Sequence, residues 1–212
     1  TAGAAIEPID AFRYLTNRSS GKSGIALATE ACMRGAKVTL IKGMTTVEPK
    51  LTDKIKVIDA ETVSQMADSL KTEILNADVV IHSAAVCDFS FEGGEIGEKS
   101  LNEKISSSKE IKLKPNAKII DSLIKMNKNI ILVGYKAECN LAEIDMINVA
   151  RRKLKDCNAD FIVANDLCKH AAGSDFNEVV IVDSKKKIIK IKGHKMEIAN
   201  KILDLALAMK KR

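Results

Sequence analysis

Asn17-Arg18-Ser19-Ser20-Gly21-Lys22-Ser23-Gly24 is the stretch whose residue types and spacing could do chemistry. It is rich in Ser and Gly, carries Arg18 and Lys22, and runs straight into an apolar helical pattern of Ile25, Ala26, Ala28, Ala31 and Cys32 that ends near Gly35. A strand-like run, Lys37-Val38-Thr39-Leu40-Ile41, follows. First-turn N–H groups lack partners, the helix dipole is positive there, and Gly lets a phosphate approach the backbone. The loop therefore reads as the phosphate cradle of a nucleotide site. It fails both common phosphate motifs. A Walker A loop needs Gly where Thr16 stands. A G-x-G-x-x-G fingerprint keeps only Gly21 and Gly24 in the right relation, and Lys42-Gly43 stands where a ribose-binding acid is wanted. The plainer reading is a serine-rich loop capping an ordinary helix.

The rest of the chain must position that loop, and it alternates strand and helix. Ile55-Lys56-Val57-Ile58 is a short strand, and residues 59–76 have helical spacing through Val63, Met66, Ala67, Leu70, Ile74 and Leu75. Residues 78–85 form a near-continuous apolar strand, as in a buried parallel sheet. Residues 86–114 are irregular, Gly- and Ser-rich and charged, and are expected to be a flap loop. Residues 92–110 within it are expected to order over bound nucleotide. A helix over 117–126, a strand over 129–134, a helix over 141–157 and a strand over 160–164 come next. The ending differs: 178–183 and 188–192 read as an antiparallel hairpin, before a last helix from about 194 to 209. The pattern predicts an α/β fold: a doubly wound, Rossmann-like parallel sheet with an appended antiparallel hairpin. Ligands of such sheets sit at the carboxyl ends of the strands near the switch point. That rule gathers Gly3, the 17–24 loop, Ala84 to Asp88, Tyr135 and Asn165 around one crevice.

Composition sets limits. The chain has 212 residues and is 46% hydrophobic, which suits one domain over 1–212. Aromatics are 3% and Trp is absent, so the core must be aliphatic. The net charge of +6 suits an acidic ligand, but the lysines are spread out, with no basic stripe interleaved with aromatics. The five cysteines, Cys32, Cys87, Cys139, Cys157 and Cys168, are odd in number and form no C-x-x-C pair. That spacing favours a reducing compartment and no zinc. No apolar run approaches the ~20 residues of a membrane span. No signal peptide is expected, and a start at Thr1 suggests a fragment, a processed product or omitted residues. His82, inside a buried strand, reads as a hydrogen-bonded core histidine.

Several motifs then fall in a recognisable order. Thr1-Ala2-Gly3, Glu7-Pro8-Ile9-Asp10 and the run from Arg13-Tyr14-Leu15-Thr16-Asn17 to Lys22 resemble the opening of phosphopantothenoylcysteine synthetases. So do Ala84-Ala85-Val86-Cys87-Asp88, Glu103-Lys104-Ile105, Val133-Gly134-Tyr135 and Ile162-Val163-Ala164-Asn165-Asp166. The resemblance implies a cytoplasmic ligase of coenzyme A biosynthesis that joins 4′-phosphopantothenate to L-cysteine. It implies an acyl-nucleotide intermediate made from CTP, or from ATP as in eukaryotic members, with Mg²⁺. It also implies a homodimer, and a flavin-dependent decarboxylase fused to or associated with the domain. The residue 177–192 hairpin, an apolar ribbon, is the expected dimer surface. The reaction needs cations and N–H donors but no nucleophilic side chain and no protein-held metal.

The resemblance also implies roles. Gly3, Ser19, Gly21 and Gly24 would contact the nucleotide phosphates. Asn116, Ala117, Tyr135 and Asn165 would line the base and ribose pocket, and Lys153 would reach the nucleotide from the following helix. Ala84, Ala85 and Asp88 would hold phosphopantothenate or nucleotide at a strand end. Arg13 would reach a phosphopantothenate bound by a partner subunit. Asn17 would serve the acyl intermediate and Lys104 its formation. The chain departs from the family at Cys157, where many bacterial members carry a second lysine, at Pro115-Asn116-Ala117, and at Ser106-Ser107-Ser108-Lys109. Two rival classes are an oxidoreductase and a nucleic-acid binder. A nicotinamide-dependent short-chain-type dehydrogenase needs Tyr-x-x-x-Lys, but Arg18 follows Tyr14 at that spacing and Cys139 follows Tyr135. A non-catalytic nucleic-acid-binding domain would show steeply salt-dependent binding to random DNA.

Overall fold

The computed structural model describes residues 1–91, 112–170, 173–185 and 187–209. In chain order the elements are β1 (Glu7–Pro8), β2 (Tyr14–Leu15), α1 (Lys22–Met33), β3 (Val38–Lys42), β4 (Ile55–Asp59), α2 (Val63–Glu73), β5 (Val79–His82) and β6 (Phe89–Phe91). They continue with β7 (Leu113–Pro115), α3 (Ile120–Met126), β8 (Ile131–Glu138), α4 (Glu143–Cys157), β9 (Phe161–Asp166), β10 (Phe176–Asp183), β11 (Ile188–His194) and α5 (Lys195–Met209).

The main sheet runs β11-β10-β9-β8-β5, and β3 pairs in parallel with β4. Residues 1–6 thread between the two pieces. Ala2 N–H donates to Ile41 O at 3.0 Å on one side, and Ala85 N–H donates to Gly3 O at 2.8 Å on the other. The opening residues thus occupy a strand position at mid-sheet, beside the point where strand order reverses. β5, β8 and β9 are parallel, whereas β10 and β11 close the sheet in antiparallel pairing.

The near-continuous apolar strands are explained by helices on both faces. Ile131, Val133, Phe161 and Val163 face a cluster that includes Leu27 of α1 and Ile198 and Ile202 of α5. Their neighbours Leu132, Ile162 and Ala164 face the other cluster, with Met66 and Leu70 of α2, Leu123 of α3 and Met146 and Ile147 of α4. The doubly wound α/β architecture expected from the sequence is therefore what forms. Among the described residues, no helix is long and apolar enough to cross a membrane.

The expected flap has structured ends. β6 and β7 pair antiparallel, with Phe89 opposite Pro115 and Phe91 opposite Leu113, so a short ribbon stands where an irregular loop was expected. Residues 92–110, Lys104 among them, lie outside the described residues. The antiparallel hairpin of β10 and β11 forms as expected. Val179 and Ile181 are buried under α5, so the apolar side of the ribbon is covered within the chain. What β11 leaves open is an edge carrying Lys190 and Lys192, and charged side chains disfavour edge pairing. Exposed apolar side chains include Phe176 and Ile188 at the ends of the hairpin, and Phe12, Tyr14, Phe89 and Leu113 on the two small ribbons and their turns. The cysteine spacing showed no pair, yet Cys139 and Cys168 are joined as a disulfide with Cα atoms 5.1 Å apart.

Candidate active site

A cavity of about 870 Å³ opens over the carboxyl ends of β5, β8 and β9, facing the start of α1. Its size falls within the range of small-molecule sites. The loop before α1 forms one wall. Gly21 is the N-cap, in the left-handed region at φ 75°, and no side chain caps the helix. The Ser19 and Ser20 hydroxyls accept from the N–H groups of Gly21 and Lys22, at 3.4 Å each, and hold the loop in a tight turn. No acidic side chain lies in the first turn. The positive helix end therefore faces the cavity without an internal anion to neutralise it. At Gly21 an added Cβ would meet Thr45 Cγ2 at 2.4 Å, so both dihedral and space demand glycine.

The floor comes from strand ends. Ala84 N–H donates to Thr1 Oγ1 at 3.1 Å, and the same hydroxyl lies 3.1 Å from His82 Nδ1. His82 is buried and lines the cavity. Burial, before the nearby positive charge of Lys153, pulls its pKa down to about 3, so the imidazole is neutral at ordinary pH. With the Thr1 hydroxyl accepting from Ala84, its proton is free to go to Nδ1, which leaves the ring's own proton on Nε2. Tyr135 also lines the cavity, and burial raises its phenol above the ordinary range, so it serves as a neutral hydroxyl.

Cations outweigh carboxylates around the cavity. Lys153 Nζ donates to Asp121 at 2.8 Å, Lys118 pairs with Asp88, Lys136 pairs with Glu138 at 2.8 Å, and Lys22 reaches Asp175 at 2.7 Å. Arg18, Arg152 and Lys195 also line it and pair with no carboxylate among the described residues. Lys195 is half-buried and donates to Ser174 O. Desolvation, and then the nearby Lys22 charge, lowers its pKa. Each lining carboxylate except Asp156 is thus held by a lysine, which leaves no cluster of free oxygen ligands in the wall among the described residues.

Of the residues singled out in the sequence, Asn17, Ser19, Gly21, Gly24, Ala84, Ala85, Asp88, Asn116, Ala117, Tyr135, Lys153 and Asn165 all line this one cavity. Asn17 Nδ2 donates to Val86 O at 3.0 Å, which draws the loop to the β5 side. Asn116 is more committed than its expected role suggests: its amide donates to Glu7 at 2.8 Å and to Cys87 O at 3.1 Å, bracing the ribbon neck. Gly3 and Arg13 are not brought to the cavity wall. Gly3 packs against Met44 and Thr45 instead. Arg13, on the β1–β2 turn, is exposed and pairs with Asp10, whose carboxyl it holds down at about 2. Sequence reasoning missed Arg152, His170, Asn177 and Lys195 on the wall, and it placed His82 in the core alone. Only the strand-end rule could have found His82. The others lie on helix faces or turns without a motif.

Comparison with known proteins gives a consistent answer. Residues 1–209 match the family described as the DNA/pantothenate metabolism flavoprotein C-terminal domain. The chain is 40% identical over 210 residues to the coenzyme A biosynthesis bifunctional protein CoaBC of Thermococcus kodakarensis, covering 96% of this chain and 49% of that protein. It is 38% identical over 204 residues to the protein of the same name from Methanocaldococcus jannaschii, covering 95% of this chain and 48% of the relative. It thus spans about half the length of these relatives. A crystal structure of the C-terminal domain of a CoaBC protein superposes with a TM-score of 0.79 at 30% identity, covering 98% of this chain and 92% of that one. The chain belongs to the DNA/pantothenate metabolism flavoprotein C-terminal domain family, the phosphopantothenoylcysteine synthetase family of coenzyme A biosynthesis.

Proposed function

We propose that this domain joins 4′-phosphopantothenate to L-cysteine in two steps. In the first, the pantothenate carboxylate attacks the α-phosphorus of CTP. The bond to the β-phosphate oxygen breaks, and pyrophosphate leaves. In the second, the cysteine amine adds to the acyl carbon, loses a proton, and expels CMP as the C–O bond breaks. The observation that carries this reading is the uncapped start of α1, facing strand-end backbone and a surplus of cations across one cavity. That arrangement suits a polyanion and a second, smaller acid held side by side.

Roles follow the chemistry. Gly21, Gly24 and Ser19 would receive nucleotide phosphates at the α1 terminus. Lys153, Tyr135, Ala117 and Asn165 would line the remainder of the nucleotide site, and Ala84, Ala85 and Asp88 the strand end where the acid lies. Asn17, already drawn to Val86, would donate to the acyl oxygen as the amine adds. Lys104 would meet the charge that builds as pyrophosphate leaves. Mg²⁺ fits this site as an ion carried on triphosphate oxygens, because the lysine-held carboxylates offer it no cage of their own. It would neutralise phosphate charge there. CTP in preference to ATP rests on the resemblance of the 17–24 loop and the 162–166 strand end to the prokaryotic branch of the family, and not on a base contact.

A cytoplasmic homodimer is part of the same reading. Arg13 lies off its own cavity, which supports a role toward a partner subunit's phosphopantothenate. An interface serving that role must include the β1–β2 turn, whatever the β11 edge contributes. A flavin-dependent decarboxylase, fused or associated, would supply the other half of the relatives' length.

Two half-reactions allow a sharp test. Each variant is mixed with CTP, Mg²⁺ and labelled phosphopantothenate, and quenched before cysteine is added. Lys104→Gln should release no pyrophosphate. Asn17→Asp should still make the acyl-nucleotide but pass it on slowly, since a single oxyanion donor is worth roughly 3–4 kcal/mol. Accumulation of the mixed anhydride by Lys104→Gln, or its absence in Asn17→Asp, refutes these roles. Absence of pyrophosphate release from the unaltered protein with either nucleotide refutes the function.

A further inference from the structure

The disulfide stands at the rim of the cavity and takes no part in the proposed reaction. β8 and β9 end side by side, with Glu138 opposite Asp166 as their last pair. Cys139 leaves the first strand and Cys168 the turn after the second. Lys136, Ala137 and Glu138 before one cysteine, and Leu167 and His170 around the other, all line the cavity. The bond therefore ties two pieces of one wall.

Two features separate this pair from an ordinary structural bridge. The first is access: Cys139 and Cys168 are exposed, whereas Cys87 and Cys157 are buried. The second is that the backbone is held without the sulfurs. The buried Asp166 carboxylate accepts from Asn140 N–H at 3.1 Å and from Cys168 N–H at 2.9 Å. Leu167 N–H donates to Glu138 O at 2.8 Å. Asn140 takes a left-handed turn at φ 56° directly after Cys139. In the closed form the two Cα atoms lie 5.1 Å apart, inside the range a disulfide needs, and none of these hydrogen bonds runs through the sulfurs. The bond can open without unfolding the strand ends and can re-form without a search.

We propose that Cys139 and Cys168 form a reversible dithiol–disulfide pair that sets the rigidity of this wall and, through it, the affinity for nucleotide; the second clause rests on the function proposed above. A solution disulfide of the glutathione or redoxin class is the oxidant. One protein thiolate attacks it, and one thiol leaves. The second cysteine then displaces the other thiol from the mixed disulfide. Two protons are lost from the protein thiols, and the oxidant is reduced to two thiols. The closed form presents a pre-ordered wall and binds nucleotide more tightly.

The test uses the full chain in glutathione buffers of graded poise. Alkylation and peptide mass report each thiol, hydrogen exchange reports residues 166–170, and calorimetry reports CTP and ATP binding. The expected result is paired titration of Cys139 and Cys168, faster exchange over 167–170 on reduction, and nucleotide binding weakened about fivefold or more. The Cys139→Ser, Cys168→Ser double variant should stay at the reduced values in every buffer. Thiols that do not titrate as a pair, or exchange that is equal in both forms, overturns the proposal. So does a reduced pair that, with Asp166, takes up stoichiometric Zn²⁺ in place of forming the bond. Nucleotide binding equal in both forms overturns the link to affinity. If neither nucleotide binds in either form, the proposed function falls, while titration and exchange still decide the clamp.

Discussion

Gly24→Ala probes the join between the anion loop and the sheet. A Cβ at Gly24 would lie 2.5 Å from Ala2 Cβ, 2.6 Å from Thr1 O and 2.7 Å from Ser83 Oγ. Two of these atoms belong to the threaded N-terminal segment, which is hydrogen-bonded on both sides and cannot step away. Carbon atoms rest at about 3.5–4.0 Å, so α1 must retreat by roughly 1 Å. Its inner face resists that movement. Ile25 and Ala28 are packed in one cluster, and Ala26 and Leu27 in another. Overpacking of this kind costs about 1–3 kcal/mol, against a gain in helix propensity of at most about 1. The net loss of roughly 1–2 kcal/mol should lower Tm by about 2–8 °C in a chain of this size. A displacement of about 1 Å at the phosphate loop should also reduce kcat/KM for nucleotide by about 10²-fold. Gly35→Ala is the control. Gly35 closes α1 at φ 82° with no atom within 4 Å of an added Cβ, so it should lower Tm through backbone strain alone. Scanning calorimetry and pyrophosphate release measure both variants. The reasoning fails if Gly24→Ala keeps full nucleotide kcat/KM, or if Gly35→Ala loses it equally.

Other outcomes follow from the same structure. His82 has a pKa depressed to about 3 by burial, so the unfolded chain binds a proton below about 6.5 that the folded chain refuses; stability should fall as pH drops from 6.5 toward 3, by at most about 5 kcal/mol. Urea midpoints at pH 7 and pH 5 should differ more for the unaltered protein than for His82→Gln. Cys168→Ser, compared with the oxidised protein, should lose about 3.6 kcal/mol, the chain-entropy effect of a loop of 29 residues, and the difference should vanish in reductant. Lys153→Gln should weaken nucleotide binding by about tenfold, read by calorimetry. Its Tm should barely move, because the partly exposed pair with Asp121 contributes only about 0–1 kcal/mol.

Buried strands and the phosphate loop were legible because their causes are local. Val79, Ile131 and Phe161 each begin a strand that is apolar on both faces, which only a sheet covered on both sides can bury. The loop at 17–24 carries its own glycines and its own helix. Boundaries were less legible. Helical spacing from residue 59 gave way to a helix starting at Val63, because the Thr62 side chain and Gln65 form a capping box. The helix expected from 117 starts at Ile120, after Asn116 is spent bracing the ribbon neck. The two small ribbons have two or three residues per strand, too short for periodicity to register. The β1–β2 turn is held by the Asp10 carboxylate accepting from the backbone of Phe12 and Arg13, a contact visible only once the turn exists. The disulfide joins cysteines 29 residues apart that meet only because β8 and β9 are neighbours. Register, not spacing, made that pair.

The paired lysines around the cavity bear on how an acid-activating site can stay folded while empty. A wall of bare cations would repel itself and raise the energy of the unliganded chain. Here Lys22 rests on Asp175 at 2.7 Å, Lys153 on Asp121 at 2.8 Å and Lys118 on Asp88. Asp175 and Asp88 are well exposed in these pairs, and Asp121 partly so, and such pairs contribute little to stability. A lysine that gives up a carboxylate of this kind for a phosphate oxygen loses little and gains a charge-assisted bond in a less solvated place. The carboxylate it releases remains in water, where its solvation is nearly restored. The same exchange is closed to Lys136, whose partner Glu138 is less exposed and sits beside Cys139 on the strand that the disulfide pins. The cavity therefore divides its cations into those that can turn to a ligand and those that hold the wall. In the proposed reaction the first set follows the charge as it moves from triphosphate to pyrophosphate.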